Sequence, residues 1–155
     1  MKMTREDLDE IQRKHVLWKR GQEGGMFANL SGKDLSDLDL RGISLVGSNL
    51  CGANLSGSDL SESNFLCANL RGSNLDNTNL SNAVLRDTDL RGATLNGADC
   101  FKTDLSYSNL RGTDMSLVDF HFTNLNGILM DGSGDLKFKP IRISNCSCEI
   151  SIFDE

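Results

Sequence analysis

The feature that most constrains this sequence is a repeat of five residues. From Leu30 to Met130 every fifth residue is apolar, and 16 of these 21 residues are leucine. The residue two places earlier is Ala, Ser or Thr in 16 copies, and the residue one place earlier is Asn or Asp in 17. Residues 28–132 are therefore an uninterrupted array of 21 copies of the unit (A/S/T)-(N/D)-L-x-x.

Neither an α-helix nor a straight β-strand buries such a repeat on one side. In an α-helix a step of five residues rotates the side chain by about 500°, which spreads the leucines around the helix. In a strand the side chains alternate between two faces, so an odd period sends successive leucines to opposite faces. The chain must turn once in every repeat, which brings each leucine back to a shared interior.

The charged residues indicate which positions of the repeat face that interior. Residues 28–132 contain 13 acidic and 7 basic residues, and only Lys33 occupies a leucine or small-residue position. Charged side chains are seldom buried without a partner. We therefore predict that two positions of each repeat point inward and that the other three point outward.

A second period of twenty residues lies within the first. Glycine is the second residue after the apolar one at positions 32, 52, 72, 92, 112 and 132, but in only 5 of the other 15 repeats. This period predicts that four repeats form one coil and that about five coils stack at the ~4.8 Å spacing of paired strands. It also predicts one corner in each coil with the positive φ that glycine adopts freely.

The segments SNLCGANLSGSDLSESNF and ANLRGSNLDNTNLSNAVLRDTDLRGATLNGAD resemble the pentapeptide-repeat proteins. This resemblance implies an all-β solenoid, a right-handed quadrilateral β-helix with the leucine and the small residue inside. The segment IQRKHVLWKRGQEGGMFANLSG resembles the leader that precedes the repeats in many bacterial and phage members. Leucine-rich repeats are excluded, because their leucines lie two and three residues apart.

Residues 1–27 are predicted to form a helical cap and leader in front of the repeats. Thr4 is placed to cap a helix over residues 1–20, Asp7 occupies the capping-box position, and Gly21 begins the stop. One face of this helix is apolar and is expected to cover the first coil. The residues of that face are Leu8, Ile11, His15 and Trp18.

The repeat ends after residue 132, and the remaining segment, 133–155, alternates apolar and polar residues around Ser144 and Asn145. This alternation predicts a β-hairpin-like segment. The segment either caps the last coil of a monomer or forms a homodimer through the C-terminal end, since a two-fold contact needs only one self-complementary patch. The candidate cap or dimer surface consists of Leu117, Phe122, Leu129, Ile141, Ile143, Ile150 and Ile152.

The sequence lacks the groups that catalysis requires. The two histidines, His15 and His121, are far apart, no glycine-rich loop opens a helix, and no ligand spacing suits a metal ion. The five cysteines, at positions 51, 67, 100, 146 and 148, are an odd number and are expected to be reduced thiols. Cys146 and Cys148 supply only two of the usual four zinc ligands. We predict a non-catalytic protein without a cofactor or a metal ion.

Overall charge and hydropathy argue against two kinds of partner. The chain has 22 acidic and 16 basic residues, whereas a nucleic-acid-binding protein needs a basic surface. No apolar run approaches the roughly 18 residues that span a membrane, and the charged start MKMTREDLDE does not resemble a signal peptide. We expect a cytoplasmic protein that binds neither nucleic acid nor membranes directly.

Two functions remain for a rod of this kind. The first is a non-catalytic module that binds a partner protein of a bacterium or phage through the rigid β-helix surface. The candidate partner surface combines a basic column with acidic residues: Arg71, Arg91, Arg111, Asp39, Asp59, Glu62, Asp99 and Asp119. The alternative, implied by the resemblance, is a DNA mimic that binds a type II topoisomerase such as DNA gyrase. Duplex DNA of ~25 Å carries about 15 charges, whereas the repeats carry a net charge of −6, which favours the first function.

Overall fold

The computed structural model describes residues 3–131. The predicted C-terminal hairpin lies outside these residues, as do Cys146 and Cys148. Four members of the candidate cap or dimer surface also lie outside them: Ile141, Ile143, Ile150 and Ile152.

The chain begins with one helix, α1, which spans Arg5–Lys19. Thr4 is its N-cap: the Thr4 side chain accepts a hydrogen bond from the Asp7 backbone N–H at 3.2 Å, and the Asp7 carboxylate accepts one from the Thr4 N–H at 2.9 Å. The predicted capping box is thereby confirmed. Arg20 is the C-cap, and Gly21 follows with a φ of 63°, a left-handed conformation that commonly ends a helix. No helix within residues 3–131 is long and apolar enough to cross a membrane.

The repeats pair through isolated parallel β-bridges between residues that are twenty positions apart, from Asn29↔Asn49 to Asn109↔Leu129. The bridging residue is always the one before the central apolar residue, so each coil of twenty residues contains four bridges and has four faces. The predicted solenoid and its coil of four repeats are confirmed.

We number the faces by their outward bridging residues. Face 1 carries Asn29, Asn49, Asn69, Asp89, Asn109 and Leu129; face 2 carries Asp34, Asn54, Asn74, Thr94 and Asp114; face 3 carries Asp39, Asp59, Asn79, Asp99 and Asp119; face 4 carries Ser44, Asn64, Val84, Asp104 and Asn124. Corner 1 is the pair of residues that follows face 1 in each coil, beginning with 31–32, and corners 2, 3 and 4 follow faces 2, 3 and 4.

The second residue of a corner has a positive φ at all four corners, not at one. All 20 such residues between positions 32 and 127 have φ between 54° and 72°, and ten of them are not glycine. The prediction of a single glycine-requiring corner is therefore wrong. The backbone makes the same turn four times per coil, and residues such as Asn77, Asp87 and Lys102 adopt the left-handed conformation at a cost of about 1–2 kcal/mol each.

The interior is a stack of the predicted inward side chains. Of the 21 central apolar residues, 19 are buried, and only Met115 and Met130, near the C-terminal end, are partly exposed. Lys33 is exposed, in agreement with the expectation that charges avoid the interior. All ten Ser and Thr residues at the small position donate their hydroxyl hydrogen to a backbone carbonyl, as Ser48 does to Leu45 at 2.6 Å. The hydroxyl groups that the repeat buries at the small position are therefore satisfied.

Helix α1 supplies hydrogen-bond partners to the first coil, which has no preceding coil. The Arg5 guanidinium donates to the Asp39 carbonyl at 3.0 Å, and the Gln12 side-chain oxygen accepts from the Ser44 N–H at 3.1 Å. The side chain of Leu8, which projects from the helix, is fully buried and belongs to the hydrophobic core. The predicted N-terminal helix is confirmed, and it packs against the first coil, although Trp18 is 48% exposed.

His15 makes the tightest connection between the helix and the coil. Its Nδ1 accepts a hydrogen bond from the Ala28 N–H at 3.1 Å, so the ring proton of the neutral form lies on Nε2 and is donated to the Val46 carbonyl at 2.8 Å. The ring is 1% exposed and stacks on Trp18 with 5.5 Å between centroids. His15 is a structural residue of the cap, since both of its nitrogens are occupied by backbone groups.

Leu75→Asp tests the inward assignment, because Leu75 is 1% exposed. The change removes about 1.5–3 kcal/mol of apolar burial and adds a buried charge. We expect thermal denaturation followed by circular dichroism to show a destabilised or unfolded chain. Leu117→Asp is the matched control, because Leu117 is 75% exposed and its replacement should leave the melting temperature nearly unchanged. Equal melting of the two variants would contradict the assignment.

His15→Ala tests the cap. It leaves the Ala28 N–H and the Val46 carbonyl without partners, which costs about 1–3 kcal/mol for each buried group. We expect a melting temperature well below that of the parent, and below that of Lys19→Ala, an exposed change on the same helix. Deletion of residues 1–20 should have a larger effect or cause aggregation. Unchanged melting of the deletion variant would show that the helix is not a cap.

Candidate functional site

The charges of the repeats are segregated between two sides of the rod. The acidic side, formed by faces 2 and 3 with corners 2 and 3, carries nine acidic and three basic residues. The mixed side, formed by faces 4 and 1 with corners 4 and 1, carries four of each within residues 28–131. The whole net charge of −6 therefore lies on the acidic side.

Face 3 carries the predicted acidic residues in one ladder. Asp39 pairs with Asp59 and Asp99 pairs with Asp119 in parallel bridges, while Asn79 interrupts the column. Glu62 lies beside them on corner 3 and has a φ of 60°. The structure thus brings all five predicted acidic residues onto face 3 and its corner.

These carboxylates also serve the backbone. Each of the 17 Asn and Asp residues at the bridging position accepts a hydrogen bond, through its Oδ1, from the N–H two residues later. This is the local turn-forming bond that the sequence predicts for Asn and Asp. Since asparagine makes the same bond, and Val84 and Leu129 form bridges without it, the fold does not require a charge at this position.

One end of the acidic ladder is neutralised by an ion pair. The Arg41 guanidinium contacts the Asp39 carboxylate at 2.6 and 2.8 Å. Hydrogen bonds from the Arg41 side chain and backbone hold the pKa of Asp39 at about 2. At the other end Lys102 lies over the Phe101 ring, 5.2 Å from its centroid.

The predicted basic column lies on corner 1. Arg71, Arg91 and Arg111 are exposed and occupy successive coils, because their neighbours Asn69, Asp89 and Asn109 pair in consecutive bridges. Arg91 contacts Asp89 at 2.6 Å, and this pairing is the first cause that lowers the pKa of Asp89. Among residues 3–131, Arg71 and Arg111 form no ion pair.

The apolar residues predicted for the C-terminal end do not form one patch. Leu117 lies on corner 2, Phe122 on corner 3 and Leu129 on face 1, so they are distributed around the last coil. Their exposed fractions are 75%, 44% and 37%. This arrangement places apolar surface on three sides of the rod near its C-terminal end.

An aromatic cluster on corner 3 was not predicted as a unit. Phe101 and His121 stack with 6.1 Å between centroids, and Phe122 contacts both rings edge-on. The signal was available, since Phe101 and His121 are twenty residues apart and therefore occupy one column. A comparable contact on corner 4 places Arg86 over the Tyr107 ring.

Of the three cysteines within residues 3–131, Cys100 is buried, Cys51 is partly exposed and Cys67 is exposed. Burial raises the pKa of the Cys100 thiol to about 12, and Cys51, Cys67 and Cys100 are free thiols. Within residues 3–131 no group of three His, Cys, Asp or Glu residues is arranged to hold a metal ion. A cleft of about 300 Å³ beside α1 is lined by His15, Val16, Lys19, Arg20, Ser44 and Val46.

With this geometry established, the comparison with protein families is decisive. The family model described as pentapeptide repeats (8 copies) matches residues 28–66, 63–99 and 95–132. The chain belongs to the pentapeptide-repeat family. No curated protein sequence is significantly similar to this pentapeptide-repeat chain.

The chain also matches solved structures of other pentapeptide-repeat proteins. A protein from the thylakoid lumen of Arabidopsis thaliana is 32% identical with a TM-score of 0.59; the match covers 61% of this chain and 66% of that one. The protein Rfr23 from the cyanobacterium Cyanothece 51142 is 24% identical with a TM-score of 0.46, over 79% of this chain and 95% of that one. QnrB1, a plasmid-mediated fluoroquinolone resistance protein, is 17% identical with a TM-score of 0.34, over 73% and 68%. The chain thus spans just under two thirds of the plant protein.

Asp39→Asn tests the ion pair on face 3, because asparagine keeps the turn-forming acceptor and removes only the charge. The folded pKa of Asp39, about 2, lies below its ordinary value of 3.8. The stabilisation is therefore fully present above pH ~4 to 5 and is lost as the pH falls through about 2. We expect a lower melting temperature than the parent at pH 7, and a difference that shrinks towards pH 2 and vanishes below it. Asp119→Asn, which removes no ion pair, should not show this pattern; the same pattern in both variants would contradict the assignment.

Proposed function

We propose that the chain is a non-catalytic protein-binding module of a bacterium or phage. In this proposal residues 28–132 form a right-handed quadrilateral rod of about five coils at the usual ~4.8 Å spacing. Residues 1–27 cap one end, and residues 133–155 cap the other end or form a homodimer. The free thiols of Cys51, Cys67 and Cys100 are in keeping with the reducing conditions of the cytoplasm, where we propose that it acts.

The observation that carries this proposal is the segregation of charge on a rigid surface. The turn-forming bonds of all 17 bridging Asn and Asp residues fix the backbone from which the outward side chains project. A surface that is already ordered loses little conformational entropy when a partner binds. Because one side carries the net charge of −6 and the other is neutral, the rod presents two chemically different surfaces.

Non-catalytic binding is also supported by the state of the reactive groups. Both ring nitrogens of His15 bind backbone groups, which leaves neither free for proton transfer. The Cys100 thiol has a pKa raised to about 12 and is fully buried, so it is a poor nucleophile.

The second candidate function is binding to a type II topoisomerase by mimicry of DNA, which is favoured by the acidic side. Duplex DNA carries about three charges in the ~4.8 Å rise of one coil. The acidic side carries nine acidic residues, spread over five successive coils and offset by three basic residues. This density is well below that of a duplex, which ranks mimicry second.

Partner capture with two matched surface variants tests the proposal. The first variant, Asp59→Asn/Asp99→Asn/Asp119→Asn, removes charge from face 3 and keeps every turn-forming bond. The second, Arg71→Gln/Arg111→Gln, removes the two unpaired arginines of corner 1. We expect a protein captured by the immobilised parent from a bacterial lysate to be lost with one of these variants. If both variants capture the same protein as the parent does, or if the parent captures no protein specifically, the proposed partner surface on the rod is contradicted.

A supercoiling assay with purified DNA gyrase separates the two candidates. Mimicry predicts that the parent changes gyrase activity at micromolar concentration and that the face 3 variant does not. If the parent does not change gyrase activity, binding to a topoisomerase is contradicted and the proposal of a protein-binding module stands.

A further inference from the structure

Corner 1 differs from the other corners in a way that the turn does not require. Its second residue is glycine at positions 32, 52, 72, 92 and 112, whereas each of the other corners includes residues with side chains at the equivalent position. Ten non-glycine residues adopt the same positive φ elsewhere in the rod. The uninterrupted glycine column therefore needs an explanation beyond backbone conformation.

The glycine column leaves an open strip along the rod. A Cβ atom at Gly72 or Gly92 would meet no atom within 4 Å, and one at Gly112 would meet only the Gly92 backbone, at 3.8 Å. At other corners the side chain of the preceding coil covers the glycine: Asp37 lies over Gly57, and Tyr107 lies over Gly127. Corner 1 alone, within residues 28–131, combines such a strip with a charged column at its edge.

The arginine column runs beside this strip on a fixed backbone. The N–H groups of Arg71, Arg91 and Arg111 each bond the bridging side chain two residues earlier. The Arg91 and Arg111 carbonyls accept bonds from Gly72 and Gly92 of the preceding coils, at 2.9 and 3.0 Å. The three guanidinium groups therefore project from anchor points about 4.8 Å apart.

Only Arg91 of the column forms an ion pair among residues 3–131, and the Arg71 charge also acts on Asp89 without contacting it. Asn69 and Asn109 flank the column on face 1, and Asn74 and Thr94 flank it on face 2. Three carboxylates lie near it. Asp89 pairs with Arg91; Asp114 accepts bonds from Asn96 and Ser116; Asp131, in the column after Arg111, accepts the Gly112 N–H at 2.6 Å.

We propose that the arginine column and the glycine strip of corner 1 form a docking site for an acidic α-helix of a partner protein, lying parallel to the rod axis. This inference rests on the proposed function and names the chemistry of the partner. Carboxylates are the natural ligands of arginine, which binds them with two parallel hydrogen bonds.

The spacing of the column favours a helix over other acidic partners. Anchor points on Arg71 and Arg111 are about 9.6 Å apart, two coil steps. Helical residues at i, i+3 and i+7 lie on one face and span about 10.5 Å, whereas three same-face residues of a strand span about 13 Å. A nucleic acid is disfavoured, because a duplex carries about one charge per 1.7 Å, more than three arginines neutralise, and the adjoining acidic side repels the excess over a Debye length of about 8–10 Å. The open strip also allows the helix to approach the rod closely.

Two synthetic peptides probe the site directly. Both are alanine-based helices with three glutamates; one carries them at i, i+3 and i+7 on one face, and the isomer carries them at i, i+2 and i+5 on different faces. Each is titrated into isotope-labelled full-length chain and followed by NMR. We expect the first peptide to bind more tightly and to shift the amide signals of residues 71–72, 91–92 and 111–112. Equal binding of the two isomers, or shifts located elsewhere, would overturn the proposal.

Two sets of variants distinguish the contribution of the arginine charges to peptide binding from that of the open glycine strip. Arg71→Gln/Arg91→Gln/Arg111→Gln should weaken binding of the first peptide by about tenfold or more. Arg41→Gln is the matched control, since Arg41 pairs with Asp39 as Arg91 pairs with Asp89, and it should leave binding unchanged. Gly72→Asn/Gly92→Asn fills the strip with a residue that already adopts this conformation at Asn77 and Asn82. It should keep the melting temperature and weaken binding.

The remaining outcomes distinguish this inference from the proposed function. A short DNA duplex that displaces the first peptide and shifts the same amides more strongly would overturn the helix in favour of nucleic acid. Suppose that capture of a cellular partner requires face 3 and that neither peptide shifts the amide signals of corner 1. This result would overturn the inference and leave the proposed function intact. The absence of any partner that depends on either surface would contradict the proposed function, while selective binding of the first peptide would still support the site.

Discussion

The five-residue turn is the constraint on which the rest of the molecule depends. It is held by three backbone features that recur in nearly every repeat: a bond between successive coils, the bond from the Asn or Asp side chain to the N–H two residues later, and the left-handed residue at the corner. Together they return each leucine to the axis. Because a repeat of this kind contacts mainly its neighbours, stability accumulates coil by coil, and an end without a neighbour needs a substitute. Helix α1 is that substitute for the first coil.

The sequence alone specified the interior more fully than the corners. Apolar periodicity and the avoidance of burial by charges predicted the inward positions, since apolar surface is favourably removed from water and charge is costly to remove from it. The corner prediction failed because glycine frequency is an incomplete sign of positive φ. Asn77, Asn82 and Asp87 tolerate that conformation, and even Phe122 and Leu117 adopt it.

The candidate surfaces were predictable where they follow the twenty-residue period, and the cap contacts were not. A spacing of twenty residues places Arg71, Arg91 and Arg111 in one column. The same spacing places Phe101 and His121 in another. The hydrogen bonds of Gln12 and His15 to the first coil depend on the position and orientation of the helix on that coil. The repeat pattern of the sequence does not specify them. The apolar face of the helix indicated that it would dock, but not which polar groups would replace the missing coil.

The residues that the fold does not need are the ones that point to recognition. Asparagine makes the turn-forming bond of face 3 as well as aspartate does, yet Asp99 and Asp119 place like charges on consecutive coils. At ~4.8 Å in water such a pair repels by up to about 1 kcal/mol. Likewise, non-glycine residues make the same corner as Gly72 and Gly92, so the bare strip is a property of the surface. In a repeat this regular, a partner can recognise only what departs from the minimum that the turn demands, and the acidic ladder of face 3 and the arginine column of corner 1 are two such departures.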